Sequence, residues 1–140
     1  MQESQQAEIE SVVVERMNSF VQAEQSLDAT GLLEHLHNTS DFCVYNDGHA
    51  LNFDELAEGL STTYQSLESI SGGIEHMVVR VLSESAALVT SEFREQIVDL
   101  EGGRTSNTGI ATWLWREING RWGICYGHVE HYPDTETETS

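Results

Sequence analysis

The chain has 140 residues, of which 24 are acidic and 6 are basic, so its formal net charge is −18. Nucleic-acid binding requires clustered Lys and Arg, and attraction to anionic lipids requires the same chemistry. The composition therefore excludes nucleic acid and membrane surfaces as expected partners. The length predicts a single domain over residues 1–140, with a core of about residues 9–132 and polar tails at 1–8 and 133–140.

The two cysteines, Cys43 and Cys125, lie in separate strand-like segments, and we expect both to be free buried thiols. The first ten residues have neither a basic region nor an apolar stretch, so the sequence predicts no signal peptide and a cytoplasmic location. The negative charge suits a salty cytoplasm, where short Debye lengths reduce self-repulsion, but it also fits an ordinary acidic protein. Composition leaves both interpretations open.

The first half of the chain has the apolar spacing of helices. Steps of three and four predict an amphipathic helix at Ile9, Val12, Val13, Met17, Phe20, Val21 and Leu27. Asp28 is the predicted cap of a short second helix through Leu36, and Asp54 that of a third helix, which Gly72-Gly73 would end. A hairpin with an Asp47-Gly48 turn is predicted between the last two helices, over Phe42–Phe53.

The second half predicts four strands, namely 77–82, 87–100, 105–117 and 121–132. Their turns fall at Ser83-Glu84-Ser85, Gly102-Gly103 and Asn119-Gly120. The sequence therefore predicts an α+β domain, in which three N-terminal helices pack on a curled, mostly antiparallel sheet that ends in a long meander.

This order of elements resembles the nuclear transport factor 2-like superfamily, which includes SnoaL-like cyclases and ketosteroid isomerases. The segments that carry the resemblance are 18–21, 28–33, 44–48 and 113–129. The resemblance implies a cone-shaped fold with a cavity. The isomerase catalytic positions fall on Phe20, on Tyr45 or Asn46, and on Thr112, so none holds its usual residue and ketosteroid isomerisation is not expected.

Two-residue turns at Gly102-Gly103 and Asn119-Gly120 would set the strand register and so assign the faces. One face would carry Glu92, Arg94, Trp113, Trp115, Trp122, Ile124, Tyr126 and His128. The other would carry Val89, Ser91, Phe93, Glu95, Ile97, Ile110, Thr112, Leu114, Cys125, Gly127 and Val129. A bulge would exchange part of these lists.

The aromatic face is the predicted homodimer interface, with Trp113, Trp115, Tyr126 and His128 in it, because aromatics and Arg are enriched at interfaces. The alternative is that Trp113 and Trp115 pack under the helices. The second face, with small residues at Gly127 and Thr112, would line a cavity for a small apolar or partly polar organic ligand. Its predicted binding residues are Met17, Phe20, Val21, Tyr64, Phe93, Thr112, Leu114, Cys125 and Val129.

Glu95 is the candidate general acid or base, because a carboxyl group in an apolar wall is desolvated. It could instead face water at the rim, or pair with Arg16 or Arg94. Tyr45 is the candidate hydrogen-bond donor that orients the ligand, although an ordinary strand aromatic is the alternative. We expect no metal site and no cofactor, since the histidines lack ligand spacing and the glycines mark turns.

Three functions are compatible with these residues. The first is a SnoaL-like enzyme that works by acid–base chemistry, as an isomerase, cyclase or hydrolase. The second is a binding module that uses the same cavity without turnover. The third is a dimerisation domain with a vestigial pocket.

Overall fold

The computed structural model describes residues 1–134. Its elements are α1 (Glu3–Gln25), α2 (Ala29–Leu33), β1 (Cys43–Asn46), β2 (His49–Leu51), α3 (Phe53–Gln65), β3 (Leu67–Ser83), β4 (Ala86–Asp99), β5 (Arg104–Ile118) and β6 (Arg121–Pro133). The predicted α+β class, with three helices before a long meander, is confirmed. Most of the predicted C-terminal tail, residues 135–140, lies outside the described residues.

The strands form one six-stranded sheet in the order β2-β1-β6-β5-β4-β3. Every pair is antiparallel except β1 with β6, which run parallel. The predicted hairpin is present, and both turn residues, Asp47 and Gly48, have positive φ as a tight hairpin turn requires. Within residues 1–134, no helix has an apolar segment long enough to cross a membrane.

Helix α1 packs along the sheet through an apolar stripe. Its buried residues are Ile9, Val13, Met17 and Phe20, at the predicted spacing. The helix begins at Glu3, so residues 3–8, which were assigned to a polar tail, are helical. The residues before Ile9 are mostly Glu, Gln and Ala, which favour helix, and they extend α1 by more than one turn.

Helix α3 begins earlier than predicted. Asn52, not Asp54, is its N-cap: the Asn52 side chain accepts a hydrogen bond from Glu55 N at 2.8 Å, and the Glu55 carboxylate accepts one from Asn52 N at 3.0 Å. This reciprocal pair is a capping box. By contrast, the predicted cap Asp28 does cap α2, where its carboxylate accepts from Gly31 N at 3.0 Å.

Strand β3 begins at Leu67 rather than at Met77, and the Gly72-Gly73 pair lies inside it. These glycines therefore do not end α3, which stops at Gln65. Gly72 has φ +100°, and a Cβ there would collide with the carbonyl oxygen of Arg94 on β4. Glycine is required at this position, because only a residue without Cβ allows the strand to bend this close to its neighbour.

The register between β4 and β5 differs from the prediction. Trp113 pairs with Val89, three residues before the expected partner Glu92. The pairing begins at Val98 with Arg104, so five residues form the loop instead of two. Asp99 organises this wider loop, since its carboxylate accepts hydrogen bonds from Glu101 N and Gly103 N at 2.9 and 2.8 Å. An odd shift turns every β5 side chain to the opposite face.

The turn at Asn119-Gly120 is as predicted, and Trp115 pairs with Ile124 as expected. A register shift follows, because Leu114 pairs with Tyr126 and leaves Cys125 as the extra residue. This bulge moves the partner of Trp113 from Tyr126 to Gly127. The alternative in which a bulge exchanges part of the faces is therefore the one that the structure adopts.

The helices cover one face of the sheet, which we call the inner face. Contrary to the prediction, Trp115, Trp122 and Ile124 lie in the core beneath the helices, and Trp113 packs against that core. Ile110 lies on the opposite, outer face and is 44% exposed. The side chains of β4 were assigned to the correct faces. The inner face of that strand carries Ala87, Val89, Ser91, Phe93, Glu95 and Ile97.

Candidate functional site

A cavity of about 240 Å³ lies between the inner face of the sheet and the helices. Its walls are mostly apolar, as is usual for sites that bind small organic molecules. Six of the predicted binding residues line it: Met17, Phe20, Val21, Tyr64, Phe93 and Val129. The curved sheet leaves this space because β3 bends at Gly72-Gly73, and both glycines are part of the cavity wall.

Four ionisable side chains from four different elements meet at this cavity. Glu24 comes from α1, Tyr64 from α3, Glu95 from β4 and His131 from β6. Polar groups in a mostly apolar wall cost free energy unless they have partners, and for that reason their convergence is typical of a functional site. We call these four residues the polar cluster.

Glu95 is the most deeply placed member, with 8% of its surface exposed. It lies directly opposite Asn107 in the β4–β5 register, and Asn107 Nδ2 donates a hydrogen bond to Glu95 Oε2 at 3.0 Å. Its second oxygen, Oε1, has no hydrogen-bond partner within residues 1–134. The predicted placement of Glu95 in the cavity wall is correct, and the carboxylate retains one oxygen for a ligand.

His131 is held from behind by Asp47 of the hairpin turn. Asp47 accepts two hydrogen bonds, one from His131 N at 2.7 Å and one from the ring Nδ1 at 2.8 Å. These bonds outweigh the effect of burial, which by itself would raise the pKa of Asp47, and they lower that pKa below its ordinary value. Because an ionised carboxylate only accepts, Nδ1 carries the proton.

The other ring nitrogen of His131 faces the cavity. Nε2 lies 3.8 Å from Glu95 Oε2, so charge on either group acts on the other. Phe93 packs edge-on against the imidazole, with ring centroids 5.5 Å apart, and restricts its rotation. A histidine oriented by a carboxylate, with its free nitrogen beside a second carboxylate, can exchange protons with a ligand.

Glu24 faces the same end of the cavity from α1. Burial raises its pKa to about 7, the negative charge of Glu95 adds to the rise, and His131 reduces it. Glu24 is therefore partly protonated at neutral pH. Burial, together with the charges of Glu24 and Glu95, also raises the pKa of the Tyr64 hydroxyl. Tyr64 thus remains a neutral donor throughout the physiological range.

Arg94 also contributes to the cavity wall, but its guanidinium group points elsewhere. Arg94 Nε lies 3.5 Å from Glu75 and its Nη1 lies 3.5 Å from Asp134, and its side chain is 57% exposed. Among the residues that the structure describes, no group of three or more His, Cys, Asp or Glu side chains is placed to bind a metal ion. The interior of the cavity therefore carries acidic groups and one imidazole.

The second predicted catalytic residue is not in the cavity. Tyr45 follows the buried Val44 on β1, so its side chain points to the outer face, where it is 39% exposed. Its ring lies 6.3 Å from that of Tyr126 and 6.4 Å from that of His128. The prediction that Tyr45 orients a ligand is wrong, and its neighbour Asn46 lines the cavity instead.

Three predicted binding residues are also misplaced. The shifted β5 register turns Thr112 and Leu114 away from the cavity and brings Ala111 and Trp113 into its wall. Cys125, the bulged residue, is buried outside the cavity, and its Sγ contacts the carbonyl oxygen of Leu114 at 3.7 Å. Both cysteines are free, but Cys43 is only partly buried.

Of the four predicted interface residues, two lie on the inner face of the sheet and two on the outer face. Trp115 is fully buried in the core and Trp113 lies over Gly127 on the inner face, so neither belongs to an outer surface. Gly127 therefore does not leave empty space, because the indole ring fills it. Tyr126 and His128 do lie on the outer face, as the alternation along β6 predicted.

Sequence analysis did not identify His131, Glu24 or Asp47 as members of the site. His131 is two residues beyond Val129, which was correctly assigned to the inner face, so the period of two was a usable signal. Glu24 follows Phe20 and Val21 at spacings of four and three on α1, which was a signal of the same kind. No local pattern indicates Asp47, because its role depends on the parallel pairing of β1 with β6.

No protein-family model matches the chain, and no curated protein matches it. Solved structures do match. A provisionally assigned scytalone dehydratase from Novosphingobium aromaticivorans superposes with a TM-score of 0.84 at 12% identity, over 94% of this chain and 89% of that one. A nuclear transport factor 2-like superfamily protein from Salmonella enterica superposes with a TM-score of 0.80 at 16% identity, over 96% and 99%.

A provisionally assigned aromatic ring hydroxylase from N. aromaticivorans also matches, with a TM-score of 0.76 at 10% identity, over 89% and 92% of the two chains. At these identities the likeness concerns the fold. The chain has the nuclear transport factor 2-like fold, as the resemblance in its sequence predicted. A reaction depends on the residues of the site and does not follow from the fold.

Proposed function

We propose that the cavity binds a small, mainly apolar organic molecule and that Glu95 acts on it as a general base. The observation that carries the proposal is the convergence of Glu95, His131 and Tyr64 at one end of an apolar cavity. Two structural neighbours are named for a dehydratase and a ring hydroxylase, and these names support a small organic molecule as the ligand of a SnoaL-like protein.

Each residue has a specific role in this proposal. Glu95 removes a proton from a carbon next to a carbonyl group, and Tyr64 donates a hydrogen bond to the carbonyl oxygen, on which negative charge develops. His131, oriented by Asp47, directs its unprotonated Nε2 toward the Glu95 carboxylate at 3.8 Å, and it can accept the proton that Glu95 removes. Asn107 holds the carboxylate in position. Return of a proton to the same carbon gives exchange, and in a β,γ-unsaturated ketone its return to the γ carbon gives isomerisation.

Hydrogen–deuterium exchange tests this step without knowledge of the natural product. The protein is incubated in D₂O with a panel of aryl ketones, some with and some without an amino group, and deuterium next to the carbonyl is followed by NMR. We expect exchange above the rate without protein, and we expect Glu95→Gln to reduce it by about 10²-fold or more. Glu10→Gln is the matched control, because Glu10 is an exposed residue of α1 outside the cavity.

Undiminished exchange in Glu95→Gln would contradict the assignment of the base. Chemical-shift changes at cavity residues without any exchange would favour the binding module instead, and that alternative uses the same apolar walls. The two results are distinguishable in one set of spectra.

We also propose that the protein forms a homodimer through the outer face of the sheet. No helix within residues 1–134 covers this face, and it exposes Tyr45, Val78, Ile110 and Tyr126. Tyr45 and Tyr126 lie next to each other, and Ile110 lies between Glu92 and Glu130 in the strand register. Exposed aromatic and aliphatic side chains on a sheet face without helices are typical of an interaction surface, and a second copy is the proposed cover. Tyr126 and His128 of the predicted interface remain part of the proposal, and Ile110 replaces the two tryptophans.

We propose a cytoplasmic location as well. The free thiols of Cys43 and Cys125 support it, because disulfides are rare in reducing compartments.

A further inference from the structure

The charge inside the cavity selects among organic ligands. Its titratable groups are Glu24, Tyr64, Glu95 and His131, and the guanidinium of Arg94, the basic side chain in the wall, pairs with Glu75 and Asp134 outside. A carboxylate or phosphate ligand would therefore meet acidic groups without a fixed cation. The chain has no lysine, and its charge of −18 also repels anions at long range.

The two glutamates have unused hydrogen-bonding capacity. The half-buried Glu24 makes no side-chain hydrogen bond within residues 1–134, and Glu95, which is 8% exposed, accepts a hydrogen bond from Asn107 at Oε2 alone. Among the described residues Trp115 Nε1 is the one buried side-chain polar atom without a partner, so the free glutamate oxygens are open to the cavity. A buried carboxylate is stabilised by a positive charge or by donors. The described residues supply donors to Glu95 Oε2 only, so a ligand with several N–H groups would complete the site.

Aromatic rings surround the same space. Phe20, Tyr64, Phe93 and Trp113 line the cavity, and Phe93 lies beside His131. The faces of such rings attract cations, and the attraction is strongest where water is excluded. Carboxylates together with aromatic faces are the chemistry that recognises an ammonium group on an apolar body.

We propose that the ligand is a protonated amine with a compact apolar body. In this arrangement Glu24 is the counter-charge of the ammonium group, and Glu95 approaches the carbon next to the ammonium nitrogen. This inference rests on the proposed function, since it names the class of molecule that the same cavity takes. Binding of an ammonium group would also favour the ionised form of Glu24, whose pKa lies near neutrality in the free protein.

Three matched probes test the proposal in binding alone. They are 2-phenylethylamine, 2-phenylethanol and phenylacetate, which share a phenyl ring and differ in the charge of the polar group. We expect calorimetric titration at pH 7.5 to give at least tenfold tighter binding of the amine than of the alcohol, and no measurable binding of the carboxylate. Equal or tighter binding of the alcohol or of phenylacetate would overturn the proposal.

Substitutions of the two glutamates test which carboxyl groups produce the preference for the amine. Glu24→Gln should reduce the preference for the amine over the alcohol by at least tenfold, and Glu95→Gln should also reduce it. Glu10→Gln, which removes the same charge from an exposed position of α1 outside the cavity, should leave the preference unchanged. An unchanged preference in both Glu24→Gln and Glu95→Gln, with folding verified by circular dichroism, would also overturn the proposal.

These readouts are independent of turnover. Amine selectivity without deuterium exchange would leave this inference intact and contradict the proposed reaction. Deuterium exchange on neutral ketones without amine selectivity would support the proposed reaction and contradict the amine inference.

Discussion

The indole ring of Trp113 on β5 packs directly over Gly127 on β6, in the space that a Cβ would occupy. Phe93 and Gly109 form the same arrangement between β4 and β5. Two large aromatic rings therefore pack over glycines on the inner face of the sheet, and both are part of the cavity wall. The volume and shape of the cavity depend on these two glycines.

Substitution of Gly127 by Ala should displace the Trp113 ring. We expect a loss of about 1–3 kcal/mol in the free energy of unfolding, as is typical of overpacked interiors, and a change in tryptophan fluorescence. Urea denaturation measures the first effect. The matched control is Gly59→Ala in α3, where no atom lies within 4 Å of the added Cβ, and which should raise stability by up to about 1 kcal/mol. Equal behaviour of the two variants would contradict the packing argument.

The ionisation of Glu24 should make stability depend on pH. Its pKa is raised in the folded protein from 4.5 to about 7. A raised pKa means that the folded state holds the proton more tightly, so this contribution is fully present below pH 4.5 and is lost as the pH rises through 7. The groups that face Glu24 are Glu95, Tyr64 and His131.

Glu24→Gln removes this dependence. At pH 8.5 the variant should be more stable than the wild type by up to about 3 kcal/mol, at 1.36 kcal/mol per pKa unit, and at pH 4.5 the two should be equal. Urea unfolding at the two pH values measures the difference, with Glu10→Gln on the exposed side of α1 as the control for removal of a surface charge. A variant less stable than the wild type at pH 8.5 would show that the ionised Glu24 has a stabilising partner.

The proposed dimer makes a prediction about solution mass. Light scattering after chromatography should give twice the chain mass, and Ile110→Glu should give the monomer, because the charge would be buried at the centre of the outer face. Leu100→Glu is the control, since Leu100 is 66% exposed in the β4–β5 loop, away from that face. A wild-type monomer at micromolar concentration would exclude the dimer.

Salt should stabilise the protein. A dimer would carry a charge of −36, twice the −18 of each chain, and screening should reduce the repulsion. We expect the melting temperature to rise with NaCl up to about 1 M, where the Debye length is about 3 Å. Sucrose, which strengthens apolar burial without screening, separates the two causes. A flat response to NaCl would remove the charge argument and favour the ordinary acidic protein.

Much of the architecture follows from local patterns. The stripe of apolar residues on α1, the Asp47-Gly48 and Asn119-Gly120 turns and the alternation along β4 were sufficient to predict the element order, the fold and the placement of Glu95 in the cavity wall. These signals depend on neighbours within a few residues, and short-range sterics and hydrogen bonding determine them.

The rest depended on contacts between distant segments. The Asp99 side chain widens one loop and Cys125 forms a bulge, and together they change which side chains face the cavity, so Trp113 enters it and Thr112 leaves it. The pairing of Asp47 with His131 joins residues 84 positions apart, and it forms only because β1 runs parallel to β6. Periodicity assigns a side chain to one of two faces, but a single extra residue reverses the assignment, and only the closed sheet determines where that residue lies.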